Sequence, residues 1–445
     1  MNVASLPNSK VDSLRAPGLP APKKTLLWSI LALAAALRLA AVFWFRNFYH
    51  PILWEWGSIV HNLLTGKGYS FYEVNGVPMP SAFMPPGHAL FLALVFRLLG
   101  EGTVASFVAI ELINVFMGAV LAYGTFRIAQ IYWSEDVALL SALLVALYPA
   151  FIYMPTEIAN INFYLAINAG VVLFLAMYLE IERKAVYLVC SGALLGLLML
   201  YRGEASALIP VISILLYVKA KVRVRDVAMF AGCCLLVIAP WAARNYVVFH
   251  RLIPTTTAMP FVLWYGHNSQ ANGTQRTGWG VSAQVMKPLP AMQSELDRVP
   301  PGPDYEIRYH QVFLREAVQF IRTHPGKEVA LLGEKFFYYW TFDMHHPKAW
   351  SPAYWVPAIA LVVMFWVGVG LQWPVLWSRY YLFVTYILFS MVLALVFHVL
   401  PRYRMFVEPL MIPFAASGLL FFWSKLSIAL ATPSALRADS SRRPA

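Results

Sequence analysis

One acid and a small set of basic residues have the types and settings to do chemistry. Glu55 lies in Pro51-Ile52-Leu53-Trp54-Glu55-Trp56-Gly57. An apolar rim such as these two tryptophans raises a carboxyl pKa toward working pH, which suits a general base. The plainer account is a solvated loop acid beside interfacial aromatics. Arginines occur in Leu200-Tyr201-Arg202-Gly203-Glu204, in Pro240-Trp241-Ala242-Ala243-Arg244-Asn245-Tyr246 and in Pro401-Arg402-Tyr403-Arg404. A guanidinium grips phosphate through a planar pair of donors, so arginines gathered on one side of a membrane suggest a phosphate ligand. Snorkelling at helix ends accounts for any single one equally well.

Weaker candidates surround these. Lys335, next to Glu334 in the apolar run Val329–Trp340, either approaches a substrate or anchors a surface helix. Glu157 either lines a cavity or caps a helix. His345-His346 after Asp343 has metal-ligand chemistry, but adjacent histidines on an aromatic-rich loop more often pack or face water. There is no Asp-x-Asp pair, Walker loop, Gly-x-Gly-x-x-Gly or Gly-x-Ser-x-Gly. The usual carboxylate cradle for the metal of a sugar nucleotide is therefore missing. No cofactor is assigned, and a divalent metal stays possible.

The elements that must position these residues follow from composition. Of 445 residues 60% are hydrophobic and only 13% charged, against about 25% charged in soluble domains. Too few charges remain for a water-facing surface. A soluble enzyme, a disordered chain and a nucleic-acid binder are excluded, and the fold class is all-α, a polytopic membrane protein. About ten segments roughly meet the 20 or so apolar residues a span needs: 26–45, 104–132, 136–154, 158–179, 186–201, 204–219, 227–247, 351–374, 379–399 and 404–424. The net charge of +12 sits mainly in three places. These are the N-terminal tail (Lys10, Arg15, Lys23, Lys24), the loop 219–225 and the C-terminal tail (Arg437, Arg442, Arg443). The positive-inside rule puts all three in the cytoplasm. No cleavable signal is evident, and the three cysteines lie inside apolar runs, arguing against a disulfide framework.

This topology divides the chain into a cytoplasmic tail 1–25, a transmembrane module 26–247 with a first outer loop 46–103, an outer segment 248–350, a closing module 351–424 and a basic cytoplasmic tail 425–445. In the first outer loop, Pro85-Pro86 should start a helix too short to span, lying in the interface. The outer segment should be irregular to about residue 305 and helical over 306–343. Glu55, Arg202, Arg244, Arg402 and Arg404 then all fall on the outer face.

In order and spacing, several of these pieces together resemble the GT-C type membrane glycosyltransferases, in particular those related to protein O-mannosyltransferases and to the aminoarabinose transferase of lipid A. The pieces are Glu55-Trp56-Gly57 with Asn62-Leu63-Leu64-Thr65-Gly66-Lys67-Gly68-Tyr69-Ser70; Pro80-Ser81-Ala82-Phe83-Met84-Pro85-Pro86-Gly87; Leu200-Tyr201-Arg202; Pro240–Tyr246 with Thr255-Thr256-Thr257 and Tyr265-Gly266-His267-Asn268; and Arg402-Tyr403-Arg404 with Pro409. Two features depart from that pattern. Family members often carry an Asp in the first loop, where here Glu55 is the only acid before Glu73. A basic residue often precedes the proline pair in lipid A-modifying relatives, where here Met84 stands.

The resemblance implies transfer of a hexosyl or pentosyl group from a polyprenyl-phosphate sugar, on the outer face of the inner membrane, to a glycolipid, polysaccharide or protein. Glu55 would be the base, Arg202 and Arg404 the leading phosphate partners and Arg244 and Arg402 secondary ones. Glu204, Asn245 and Lys335 would line the substrate site. A single base and no second catalytic carboxylate implies inversion at the anomeric carbon. Two alternatives remain open at this point: a lipid-linked sugar flippase or other transporter, and an O-antigen polymerase or ligase, for which His267, His310 and His324 would matter.

Overall fold

The computed structural model describes residues 23–279 and 282–439. The tail residues Lys10, Arg15, Arg442 and Arg443 lie outside these. Helix α1 (Lys24–Phe45) crosses the bilayer and stops at Arg46, whose left-handed backbone (φ 53°) ends the helix. The first outer loop follows, with α2 (Trp54–Leu64), the hairpin β1 (Ser70–Val74) and β2 (Val77–Pro80), and α3 (Pro86–Leu99). Asn75 and Gly76 both take positive φ, the backbone of a two-residue hairpin turn. Helix α3 begins with Pro86 in its first turn, as the proline pair predicts.

Helix α4 (Val104–Tyr132) starts where the Thr103 side chain accepts a hydrogen bond from Ser106 N–H. Helices α5 (Glu135–Leu147) and α6 (Pro149–Tyr153) form a span bent by 55°. Pro149 has no N–H to give, so carbonyls at the end of α5 lose their partners. Arg38 of α1 replaces them, donating to Val145 O at 2.9 Å and Ala146 O at 3.4 Å. Such replacement is needed where lipid offers no water. Gly118 leaves it room: a Cβ there would lie 2.4 Å from Arg38 Nε.

Helices α7 (Ile161–Ala176) and α8 (Ala185–Met199), the short α9 (Leu208–Ile214) and α10 (Val224–Phe249) complete the first module. Among the described residues six helices are long and apolar enough to span, or seven if the bent pair is one span. The expected ten are not all of that length. Helix α8 has 15 residues, about 22 Å, and segment 204–219 is a 3₁₀ turn, α9 and a π turn. The outer segment contains α11 (Met259–Gly266), short strands β3 (Arg276–Thr277) and β4 (Gln284–Val285), α12 (Pro290–Leu296), α13 (Tyr305–Thr323) and α14 (Pro325–Trp340). The helical stretch expected over 306–343 is thus two helices, divided at Pro325. The closing module has α15 (Pro352–Gln372), α16 (Leu376–Arg379), α17 (Tyr381–Val396), α18 (Pro401–Met405) and α19 (Glu408–Asp439).

Glycines set the closest approaches inside the bundle. A Cβ on Gly192 or Gly196 of α8 would lie 2.5 Å from Phe230 O or 2.7 Å from Cys234 O of α10. One on Gly368 of α15 would lie 1.9 Å from Phe414 O of α19. Between helices in lipid, where apolar burial gives little drive, such backbone contact is a main source of association.

Candidate functional site

Glu55 opens α2 and is half-buried, and it makes no hydrogen bond or ion pair among the described residues. Its neighbour Trp56 is buried with its ring edge-on to His88 of α3, centroids 4.8 Å apart. One residue earlier on α3, Gly87 N–H donates to Leu200 O at 2.7 Å. Any Cβ on Gly87 would meet that same oxygen at 2.7 Å. Helix α3, against which the helix carrying Glu55 packs, is therefore seated on the turn before Arg202.

Arg202 is 9% exposed and stands over the Tyr164 ring at 4.4 Å, with Tyr403 at 5.4 Å and Phe406 at 5.6 Å. It pairs with Glu204 through Nε (2.6 Å) and Nη2, and its buried Nη1 has no protein partner. Burial opposes ionisation of Glu204, but the Arg202 guanidinium beside it holds the carboxyl below the usual range. Arg402 is exposed and its guanidinium makes no hydrogen bond or ion pair among the described residues. Its charge bears on Glu204, Tyr164, Tyr403 and Tyr265 alike.

Tyr265, at the end of α11, connects the two halves. Burial first, then the Glu55 carboxylate, raises its phenol pKa; Arg276 and Arg402 act in the opposite direction. The phenol thus stays protonated and remains a hydrogen-bond donor. Arg202 thus reaches Tyr403 at 5.4 Å and, through the His398 ring at 5.5 Å from each, Tyr265, while the charges of Glu55, Arg402 and Glu204 act on the same tyrosines. Sequence reasoning chose the charged residues and missed the tyrosines. The Tyr265-Gly266-His267-Asn268 fragment was the available signal.

The remaining candidates are held by partners. Arg404 Nε donates to Glu408 Oε1 at 2.9 Å, and Nη1 donates to Tyr339 O (2.9 Å) and Thr341 O (2.8 Å). Both members of the pair are buried, and Tyr148 also donates to Glu408. Arg244 donates to Ser81 O at 2.7 Å and Tyr69 O at 2.9 Å, with its guanidinium 5.0 Å from the Trp241 ring centroid. Asn245 donates to Ile253 O at 2.9 Å. These two side chains fasten the first outer loop and the start of the outer segment to α10.

Lys335 is fully buried in α14, its Nζ 3.2 Å from His267 Nε2 and donating to Leu395 O at 3.2 Å. Burial pushes its pKa down to about 8, with Glu328 opposing. His267 Nδ1 donates to Glu328 Oε2 at 2.7 Å. The Lys335 charge acts on His398, whose ring lies 5.5 Å from both Tyr265 and Tyr403.

Glu306 of α13 is a second buried acid, unremarked in the sequence. It accepts from Ser81 Oγ (2.5 Å), Ala82 N–H (2.8 Å) and Thr257 Oγ1 (2.5 Å). One turn on, His310 Nδ1 donates to Thr257 O at 2.9 Å and Nε2 accepts from the Tyr72 hydroxyl at 2.8 Å. Burial pushes His310 down to about 4, so it is neutral near pH 7. His345 N–H donates to Asp343 Oδ1 and its ring meets Gly278 O. Among the described residues no group of three His, Cys, Asp or Glu converges to hold a metal ion.

Residues 84–243 match the family model of dolichyl-phosphate-mannose-protein mannosyltransferase. No curated protein sequence matches the chain. Among solved structures, the Archaeoglobus fulgidus oligosaccharyltransferase tethered to an acceptor peptide aligns over 93% of this chain at 11% identity and TM-score 0.54. The archaeal oligosaccharyltransferase AglB of the same organism, in complex with an inhibitory peptide and a dolichol-phosphate, gives 93%, 12% and 0.53. This chain spans about half the length of those structures, 51% and 52%. ArnT from Cupriavidus metallidurans bound to undecaprenyl phosphate aligns over 87% of this chain and 76% of its own, at 13% identity and TM-score 0.41. The expected resemblance to GT-C type membrane glycosyltransferases holds, in fold over nearly the whole chain and in family match over residues 84–243.

Proposed function

We propose that this protein transfers a sugar from a polyprenyl-phosphate carrier to an acceptor hydroxyl at the outer face of the inner membrane, with both termini cytoplasmic. The observation that carries the reading is the buried Arg202 Nη1, which has no partner among the described residues and whose guanidinium lies 5.4 Å from the Tyr403 ring, joined through His398 to Tyr265, on which the charges of Glu55 and Arg402 act. A base and a phosphate anchor are the two parts this chemistry needs. The acceptor oxygen attacks the anomeric carbon and its proton passes to Glu55. The bond from that carbon to the phosphate oxygen breaks, and the electron pair leaves on the phosphate. A phosphate is already a good leaving group, so positive charge rather than a general acid completes the step. Arg402 and the free Nη1 of Arg202 supply that charge, and the Tyr265 hydroxyl adds a donor between them and Glu55. Direct attack inverts the anomeric centre.

The test is Glu55→Gln in purified protein with a polyprenyl-phosphate sugar. Transfer should fall by about 10²–10⁴-fold, the usual worth of a positioned base, with donor binding retained. Turnover near that of the wild type would remove Glu55 from the reaction.

A further inference from the structure

Beyond the proposed site, between α11, α12 and α13, lies a cavity of about 210 Å³. Pockets for drug-sized ligands run about 300–1,000 Å³, so this one suits a single small ring better than a lipid chain. The exposed His324 ring, stacked on Phe320 at 4.7 Å, gives it an open aromatic face, with the largely buried Trp264 and Phe320 rings behind. Glu316, Gln319 and Gln270 give it polar edges. Residues 316, 319 and 320 share one face of α13 by the three- and four-residue spacing of a helix.

The polar edges are free. Among the described residues neither the Glu316 carboxylate nor the Gln319 amide has a hydrogen-bond or ion-pair partner. The Trp264 indole N–H has no hydrogen-bond partner among them either. Gln270 gives its amide N–H to Lys287 O and keeps its side-chain oxygen.

A pyranose has this chemistry in complement. One face of the ring is a patch of C–H bonds that lies flat on an aromatic wall. Its rim carries hydroxyls that each donate and accept, and planar carboxylate and amide groups answer both roles. The cavity also adjoins the proposed site: Trp264 lines it, and the Tyr265 ring, on which the charges of Glu55 and Arg402 act, is 5.4 Å away. We infer that this cavity is a saccharide subsite, holding one pyranose residue of a glycan acceptor while another hydroxyl of the same glycan is presented to Glu55. The acceptor role rests on the proposed transferase reading; sugar binding by the cavity does not.

The test uses full-length protein in lipid nanodiscs, so that no sugar-headed detergent competes. The probes are methyl glycosides of glucose, galactose, mannose and N-acetylglucosamine, observed by saturation-transfer NMR. At least one should bind, with affinity at least tenfold lower in Glu316→Ala/Gln319→Ala, whose thermal unfolding should match the wild type. No saturation transfer to any probe, or transfer unchanged in that variant, overturns the subsite. With a glycan acceptor, the same variant should raise acceptor KM about tenfold at unchanged kcat. An unchanged KM would leave sugar binding in place and overturn the acceptor role. Glycoside binding by a wild-type protein that transfers no sugar from any polyprenyl-phosphate donor would instead overturn the transferase chemistry alone and leave the subsite standing.

Discussion

At the scale of single residues, the four candidate arginines divide into two kinds. Arg202 and Arg402 keep donors unspent, whereas Arg404 and Arg244 are committed to a buried acid and to backbone carbonyls. Arg402→Ala and Arg202→Ala should each weaken binding of a polyprenyl phosphate about tenfold or more, measured by titration in nanodiscs. Unchanged affinity in both would remove them from the phosphate site. Arg404→Ala should act on stability instead. Deleting one partner of a buried pair costs about 3–5 kcal/mol, because the other charge is left uncompensated. Arg404→Met combined with Glu408→Leu should recover much of that loss in thermal unfolding. A drop in donor affinity without destabilisation would return Arg404 to the phosphate. The sequence displayed the arginines. It did not display which were occupied, because their partners are mostly carbonyls such as Ser81 O and Tyr339 O, brought near only by folding. Arg404 was the exception, since Glu408 four residues on is a helix pairing readable from spacing alone.

At the scale of elements, α13 acts as a clip on the first outer loop. Glu306 holds the Ser81-Ala82 backbone and Thr257 together, and His310 joins Tyr72 to Thr257 O. Because burial depresses the His310 pKa to about 4, the unfolded chain takes up its proton at higher pH than the folded one. Stability is therefore fully present above about pH 6.5 and is lost as pH falls through about 4, by on the order of 3 kcal/mol. Thermal unfolding at pH 7.5 and pH 5 should show a larger drop for wild type than for His310→Gln. Glu306 and Asp343 titrate in both proteins and cancel from that comparison; equal drops would contradict it. The short helix after Pro85-Pro86 was legible, because proline fixes a helix start locally. The β1–β2 hairpin also had its signal in Asn75-Gly76. The clip had none, since Glu306 lies 225 residues from Ser81 and looks in sequence like any acid at the start of a solvated helix.

At the scale of the whole molecule, hydropathy established the membrane and the class of fold, but not the number of crossings. Helix α8 and the broken segment 204–219 are apolar without being long, because short helices can sit inside a bundle that longer ones complete. Close packing there depends on glycine. Gly192→Leu and Gly368→Leu should each lower the thermal unfolding temperature in nanodiscs and reduce yield, since neither carbonyl they would strike can move without its helix. Unaltered unfolding in both would mean that α8 on α10 and α15 on α19 tolerate separation. One contact reaches further than its size. The peptide hydrogen bond from Gly87 to Leu200 fixes the platform under the carboxylate to the loop beneath the guanidinium. Acid and cation thus ride on elements joined by one peptide bridge, and Gly87→Ala, whose methyl would strike Leu200 O, should disturb the surroundings of both at once.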